Sequence, residues 1–214
     1  MVILDGSTMI VSELQYFPPL TFLTTLYKET YVYLDIYEIY RKMSFRNRCI
    51  IAGAQGTISL SIPLRDGRNQ NLPMNEVLIS YKENWQSRHF KSIQSAYNRS
   101  PFFEYYQNEL NEIYQKPFSR LADWNLYCLN WIKEKMDWPA VIRVTGTAVP
   151  YQAKDFEDRR NIVLPKNYSQ WNPVKYRQVF EERTGFFPNL SVLDLLFNVG
   201  KEAGELLRNS SARV

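Results

Sequence analysis

The sequence predicts an α/β fold with a small, mostly parallel or mixed sheet that starts with a βαβ unit, followed by a helical C-terminal half. Three observations predict it. Residues 9–14 are an apolar run, Leu20, Phe22, Leu23, Leu26 and Tyr27 recur at helical spacing, and residues 31–34 (Tyr-Val-Tyr-Leu) are aromatic and β-branched. Strand, helix and strand in so short a stretch make a βαβ unit, and such a unit implies a parallel sheet. Apolar positions then keep a helical period through most of residues 84–136. Finally, 45% hydrophobic and 22% charged residues in 214 residues are enough for one large globular core.

The elements follow in order. Residues 1–8 read as an extension. Pro18 and Pro19 end the first strand in a rigid extended turn. Residues 49–52 and 57–63 flank a glycine-bounded turn and predict a hairpin. Residues 66–73 read as a polar loop and 76–80 as another short strand. Asn84 caps a helix with Trp85, His89, Ile93, Ala96 and Tyr97 on one stripe. Ser100-Pro101 signals a fresh helix start, with Ser at the cap. A further helix spans about 119–136, and 140–145 reads as a strand. Residues 146–172, charged and punctuated by proline, read as a long irregular loop. C-terminal helices occupy 173–210, one of them started by Ser191 with Asp194 in a variant capping box and closed by Gly200. The whole chain, 1–214, reads as a single domain.

Charge narrows the class of partner. A net charge of +4, from 26 basic and 22 acidic residues, is dispersed along the chain. It suits a small anionic molecule and gives no basic block for nucleic acid. No apolar run reaches membrane-spanning length, so no membrane insertion is expected and the chain is placed in the cytoplasm. Cys49 and Cys128 sit in apolar contexts and read as reduced, buried residues. A single histidine excludes a multi-histidine metal site, and no metal site is expected. Walker loops, dinucleotide fingerprints and nucleophile elbows are absent. Cofactor and oligomeric state stay open.

The candidate chemistry is therefore arginine, carboxylate, tyrosine and one histidine. Arg46-Asn47-Arg48 precedes an apolar strand. Alternation along a strand would turn both guanidinium groups to one side, where they could share an anion, while Asn47 faces away. A solvated basic loop is the plainer reading of the same three residues. His89 lies on the apolar stripe with Trp85 and Ile93, which fits a hydrogen-bonded core residue or a general base tuned by burial. Tyr16, in the turn after the first strand, and Asp35, after the second, would meet at the carboxyl edge of a parallel sheet, where ligands bind. A helix-capping Asp and a rigid turn are the plainer reading there.

Beyond single residues, ordered motifs cover nearly the whole chain, from about residue 9 to 207. They are Tyr16-Phe17-Pro18-Pro19, Phe45-Arg46-Asn47-Arg48, the Leu-x-Ile-Pro strand at Ile58–Pro63, and Trp85-x-x-x-His89-x-x-x-Ile93-x-x-x-Tyr97. Ser100-Pro101-Phe102-Phe103-Glu104-Tyr105-Tyr106 and Phe187-Pro188-Asn189-Leu190-Ser191-Val192-Leu193-Asp194-Leu195-Leu196-Phe197-Asn198 complete the set. In these the chain resembles the bacterial WbqC-like proteins. It departs from them at Gln15, where many relatives carry Gln-Pro-Tyr, and at Asn198-Val199-Gly200, where they often carry Asn-Glu-Gly. The resemblance implies an association with surface-polysaccharide and O-antigen loci and, as an expectation, a transferase that acts on a sugar nucleotide or another activated sugar. It also implies that the Asn-Arg and Trp-x-x-x-His motifs are site positions.

Together these readings assign substrate binding to Arg46, Asn47, Arg48, Tyr16, Trp85 and Tyr97, and catalysis to His89 assisted by Asp35. Replacing Arg46 is expected to remove binding and spare the fold. The alternative is a non-catalytic ligand-binding or scaffold protein of a glycan-assembly system, with His89 in its core.

Overall fold

The computed structural model describes residues 9–151 and 156–210. The extension expected at 1–8 lies outside them. β1 (Met9–Ser12), α1 (Leu20–Leu26) and β2 (Tyr31–Leu34) form the expected βαβ unit, with the two strands parallel and Ile10 opposite Val32. β3 (Arg48–Gly53) and β4 (Gly56–Ser61) make an antiparallel hairpin. The long helices are α2 (Trp85–Tyr97), α3 (Phe103–Gln115) and α4 (Leu121–Lys135). β5 (Val141–Val144) and β6 (Phe156–Asp158) return to the sheet, and α5 (Glu181–Thr184), α6 (Val192–Val199) and α7 (Ala203–Asn209) close the chain.

The main sheet is parallel throughout, in the order β5-β2-β1-β6. The chain winds outward from β1 through β2 to β5, then adds β6 on the opposite side of β1. The winding therefore reverses between β1 and β6. In open parallel sheets the carboxyl ends at such a reversal diverge and leave a crevice for ligands. This topology, rather than any single motif, decides where the functional site lies.

Several expectations need correction. Residues 76–80 do not form a strand. Met74–Glu76 is a 3-10 turn, and Leu78 and Ile79 make only isolated bridges to Arg120 and Leu64. The loop expected at 146–172 contains β6 and a 3-10 turn at Tyr168–Gln170. β6 escaped notice because Phe-Glu-Asp is short, charged and paired on one side only, so it carries no apolar signature. Ser100 is not a cap, since α3 starts at Phe103 after Phe102. Ser191 does cap α6, accepting from the Leu193 amide, but Asp194 is no capping partner. Its carboxylate is fully buried and accepts from Tyr97 at 2.7 Å, from Tyr176 and from Gln178 at 3.1 Å.

Two of the quoted motifs meet in the core. The Phe17-Pro18-Pro19 turn pairs with residues 190–192. The Leu20 amide donates to the Leu190 carbonyl (3.0 Å), the Val192 amide to Pro18 (2.8 Å) and the Ser191 hydroxyl to Phe17 (2.9 Å). From the other side, Tyr16 donates its amide to the Phe45 carbonyl (2.9 Å). The turn that leaves β1 is thus clamped by the start of α6 and by the loop before β3. Around it Tyr16, Phe17, Phe45, Trp85, Tyr97, Trp124 and Phe197 are fully buried, which accounts for much of the aromatic excess.

At the far end, the Tyr27 hydroxyl donates to the Met136 carbonyl (2.8 Å), and α7 packs against both at Gly204. A Cβ at Gly204 would overlap the Met136 carbonyl and the Tyr27 hydroxyl. Gly204→Ala is expected to lower stability by about 1–3 kcal/mol, because this contact cannot relax without moving backbone. Urea unfolding checks this, and an unchanged midpoint would show that α7 is not docked this closely.

Candidate functional site

The carboxyl ends of β1, β2 and β6 carry charge into the interior. β1 runs straight into Glu13, β2 into Asp35, and β6 ends at Asp158 with Arg160 and Asn161 just beyond. Glu13, Asp35, Glu38, Arg46 and Arg160 are all buried. Glu13 is held there by hydrogen bonds, and the other four are ion-paired as well as hydrogen-bonded.

Two arginines organise the group. Arg46 is 0% exposed, and both its Nε (2.9 Å) and its Nη2 donate to Glu38 Oε1. Nη2 also donates to Asn161 Oδ1 at 3.0 Å. Arg160 Nη1 donates to Asp35 Oδ2 at 2.6 Å, and its Nε donates to Asp158 at 3.0 Å. Asp35 accepts further from the Tyr37 amide, the Thr145 hydroxyl and the Val149 amide. Glu13 accepts from Gln15 Nε2 (2.8 Å) and from the Asn161 amide (3.0 Å). Asn161 thus joins the end of β1 to Arg46, and it does so with φ +62°, a left-handed conformation that asparagine tolerates better than most residues.

Four carboxyl groups here share two guanidinium groups, and that excess of negative charge has a consequence. Burial pushes the Glu38 carboxyl up to about 7, against the opposing pull of Arg46 and with Glu13 and Asp35 adding to the rise. Glu38 Oε2 and Arg46 Nη1 are buried without a protein partner, on the same ion pair.

Over this floor lies an open cleft of about 450 Å³. Residues 39–42 form one wall and 68–71 the other, with Tyr151 and Asn161 at the base. The walls are strapped together. The Tyr40 amide donates to the Leu72 carbonyl, the Met74 amide to the Glu38 carbonyl (both 2.8 Å), and Lys42 Nζ to Asn69 Oδ1 (3.1 Å). Arg41, Lys42 and Arg68 put three cations on the rim, and among the described residues no carboxylate lines the cleft. Beneath it the Tyr151 ring stacks on Arg160, with the guanidinium carbon 4.0 Å from the ring centroid.

The residues expected from the sequence are distributed between this site and the core. Arg46 and Asp35 belong to the floor. Asn47 braces the wall, accepting from the Tyr40 hydroxyl (3.1 Å) and donating to the Ile62 carbonyl (2.9 Å). Arg46 and Arg48 do not share an anion. β3 begins only at Arg48, so strand alternation does not relate them, and Glu38 already occupies the Arg46 fork. Nor would the fold survive unharmed without Arg46, since its loss leaves Glu38 buried and uncompensated, at a cost of about 3–5 kcal/mol.

His89 lies elsewhere, 3% exposed among Trp85, Tyr16 and Tyr114. The Tyr16 hydroxyl meets His89 Nδ1 at 3.0 Å and also the Tyr114 hydroxyl. Burial drives the His89 pKa down to about 4, Arg88 lowers it further, and a bond with the Ser61 backbone opposes the fall. The imidazole is neutral near pH 7 and touches no carboxylate. Trp85 is buried against it, and Tyr97 bonds Asp194 and the Ala52 amide (3.0 Å). Asp35, committed to Arg160, is not a partner of His89. Glu13, Glu38, Arg160 and Asn161 are the site residues that sequence reasoning missed. The available signal was Glu13, a charge interrupting an apolar strand at its carboxyl end.

The WbqC-like protein family model matches residues 15–157 and 132–206. The chain belongs to the WbqC-like protein family. It is also 26% identical, over 194 residues, to "Uncharacterized protein Rv1507c" of Mycobacterium tuberculosis (strain ATCC 25618 / H37Rv), covering 79% of this chain and 84% of that protein. No solved structure matches. Among the described residues of this WbqC-like chain, no cluster of three or more His, Cys, Asp or Glu side chains is placed to hold a metal ion, and no helix is long and apolar enough to cross a membrane.

The raised Glu38 carboxyl has a signed consequence. The native state holds its proton more tightly than the unfolded chain, whose value is near 4.5. The stability it contributes is therefore full below pH 4.5 and is lost as pH rises through 7. His89, shifted downward, acts in the opposite sense, so the comparison must be made against a variant. Glu38→Gln is expected to gain on the wild type steadily between pH 4.5 and 7 in chemical denaturation. Parallel stability curves would mean that Glu38 stays ionised throughout.

Proposed function

We propose that this chain is a cytoplasmic transferase of surface-polysaccharide assembly that binds a sugar nucleotide, or a similarly activated anionic sugar, in the cleft bounded by Tyr40, Arg68 and Asn161. The observation that carries the reading is the place and charge of that cleft: at the winding reversal of a parallel sheet, rimmed by Arg41, Lys42 and Arg68 with no lining carboxylate among the described residues. The rim cations suit phosphate oxygens. Asn69, Asn71 and Asn161 offer both donors and acceptors to sugar hydroxyls.

In this reading the acceptor's nucleophilic oxygen attacks the activated carbon and forms the new bond, while the nucleoside diphosphate departs with the electrons of the broken one. The proton released by the acceptor passes to water in the open cleft, while Glu38, buried beneath it and outside its lining, belongs to the floor that positions the walls. Arg46 holds Glu38 in place, and Arg160 with Asp35 holds the neighbouring strand ends. The placing of His89 in the aromatic core favours the second reading, a ligand-binding or scaffold protein of a glycan-assembly system without turnover.

Calorimetric titration with UDP-N-acetylglucosamine tests the site. The wild type is expected to bind, more weakly as salt rises, and Arg41→Ala/Arg68→Ala to bind about tenfold more weakly or worse at an unchanged melting temperature. Equal affinity in the double variant would remove the cleft from consideration. Binding by both wild type and Glu38→Gln, with no product from either, would favour the scaffold reading.

A further inference from the structure

The cleft wall continues by one residue into an apolar tip. Along Ile39-Tyr40-Arg41-Lys42-Met43, Tyr40 alone turns inward, 4% exposed, while Ile39 is 50% and Met43 68% exposed. Arg41 and Lys42, both exposed, stand between the two apolar side chains. Water meets both kinds of group on one short stretch, and the apolar pair gains nothing from the core.

The stretch is nevertheless held in shape. Ile39 bridges Pro73, the Tyr40 amide bonds the Leu72 carbonyl, and the Ser44 hydroxyl donates to the Arg41 carbonyl at 2.6 Å. Met43 has φ +54°, a left-handed conformation that a side chain with a Cβ adopts at a cost. The fold therefore presents the thioether outward on a braced loop. The cations beside it are free to act on something else. Among the described residues none of Arg41, Lys42 and Arg68 forms an ion pair, and the nearby carboxylate of Asp66 lies 3.8 Å from Arg65.

We propose that the mouth of the cleft docks on an anionic membrane surface, with Ile39 and Met43 entering the boundary between headgroups and acyl chains and Arg41, Lys42 and Arg68 lying among the lipid phosphates. Apolar side chains interleaved with unpaired cations are what an anionic interface recognises, and they let a protein lie on a membrane without spanning it. Size decides against a protein partner. A stable protein interface buries about 800 Å² on each side around an apolar centre, and two side chains set among cations fall well short of that. A bilayer needs only shallow anchors, because its surface charge adds to them. Methionine, flexible and polarisable, suits a fluid boundary. The proposal goes beyond the sugar reading of the cleft and stands without it, since it rests on the loop's exposed side chains and their charge.

Sedimentation with vesicles of mixed phosphatidylglycerol and phosphatidylcholine, and with pure phosphatidylcholine alongside, tests the assignment. The protein is expected to bind the mixed vesicles, to bind the neutral ones far more weakly, and to be released as salt rises. Met43→Asn places a polar residue that tolerates the left-handed backbone, so the melting temperature and the affinity for UDP-N-acetylglucosamine should stay unchanged. Vesicle binding should weaken about threefold in that variant and about tenfold in Ile39→Asn/Met43→Asn. Vesicle binding in a protein that fails to bind UDP-N-acetylglucosamine would support the docking and remove only the sugar reading. No binding to the mixed vesicles, equal binding to pure phosphatidylcholine, or undiminished binding by Met43→Asn and the double variant would each overturn the proposal.

Discussion

The Arg46–Glu38 ion pair is the constraint on which the rest of the site depends. Both groups are sealed from water, so each would be strongly destabilising without the other. Through Asn161 the pair reaches the end of β6, and through the Asn161 amide it reaches Glu13 at the end of β1. Asn125 of α4 donates to the Arg46 carbonyl at 2.6 Å and ties the same residue to the helical half. Arg46, through its guanidinium and its carbonyl, therefore links three parts of the chain around the point where the sheet reverses.

A buried pair is a poor source of net stability, because desolvation consumes much of the Coulomb gain. Apolar side chains of similar volume would hold the same segments together at least as well. What the charges add is position. Arg160 must face Asp35 and Arg46 must face Glu38, so the strand ends meet in one arrangement, and Tyr40 and Asn161 are delivered to a wall and the base of one cleft. Burial, with Glu13 and Asp35 adding to it, pushes the Glu38 carboxyl up to about 7, a property that an apolar floor would lack.

Much of this fold was legible because it is written locally. The βαβ unit, the hairpin and the stripe of α2 follow from periodicity within a few residues, and each appears within two residues of its expected bounds, β1 and β4 each ending two residues early. The site was less legible, because its partners lie far apart. Asp35 and Arg160 are 125 residues apart and Arg46 and Asn161 are 115 apart, and no local pattern announces either pairing. The motif containing Arg46 marks a structural arginine beneath the candidate cleft, whereas the exposed cations Arg41, Lys42 and Arg68 lie in loops without periodicity. His89 shows the converse: the apolar stripe that placed it also determined its surroundings, and burial removed the charge that a pH-7 switch needs.

The central claim is that an activated anionic sugar is held where the winding reverses, above the buried charges. Amide hydrogen exchange with and without UDP-N-acetylglucosamine tests it most directly, because it locates the ligand without altering a residue. The expected result is new protection at residues 39–42, 68–71 and 161, with the amides of α2 unchanged. Protection confined to α2 or to the C-terminal helices, with none at the cleft walls, would contradict the account.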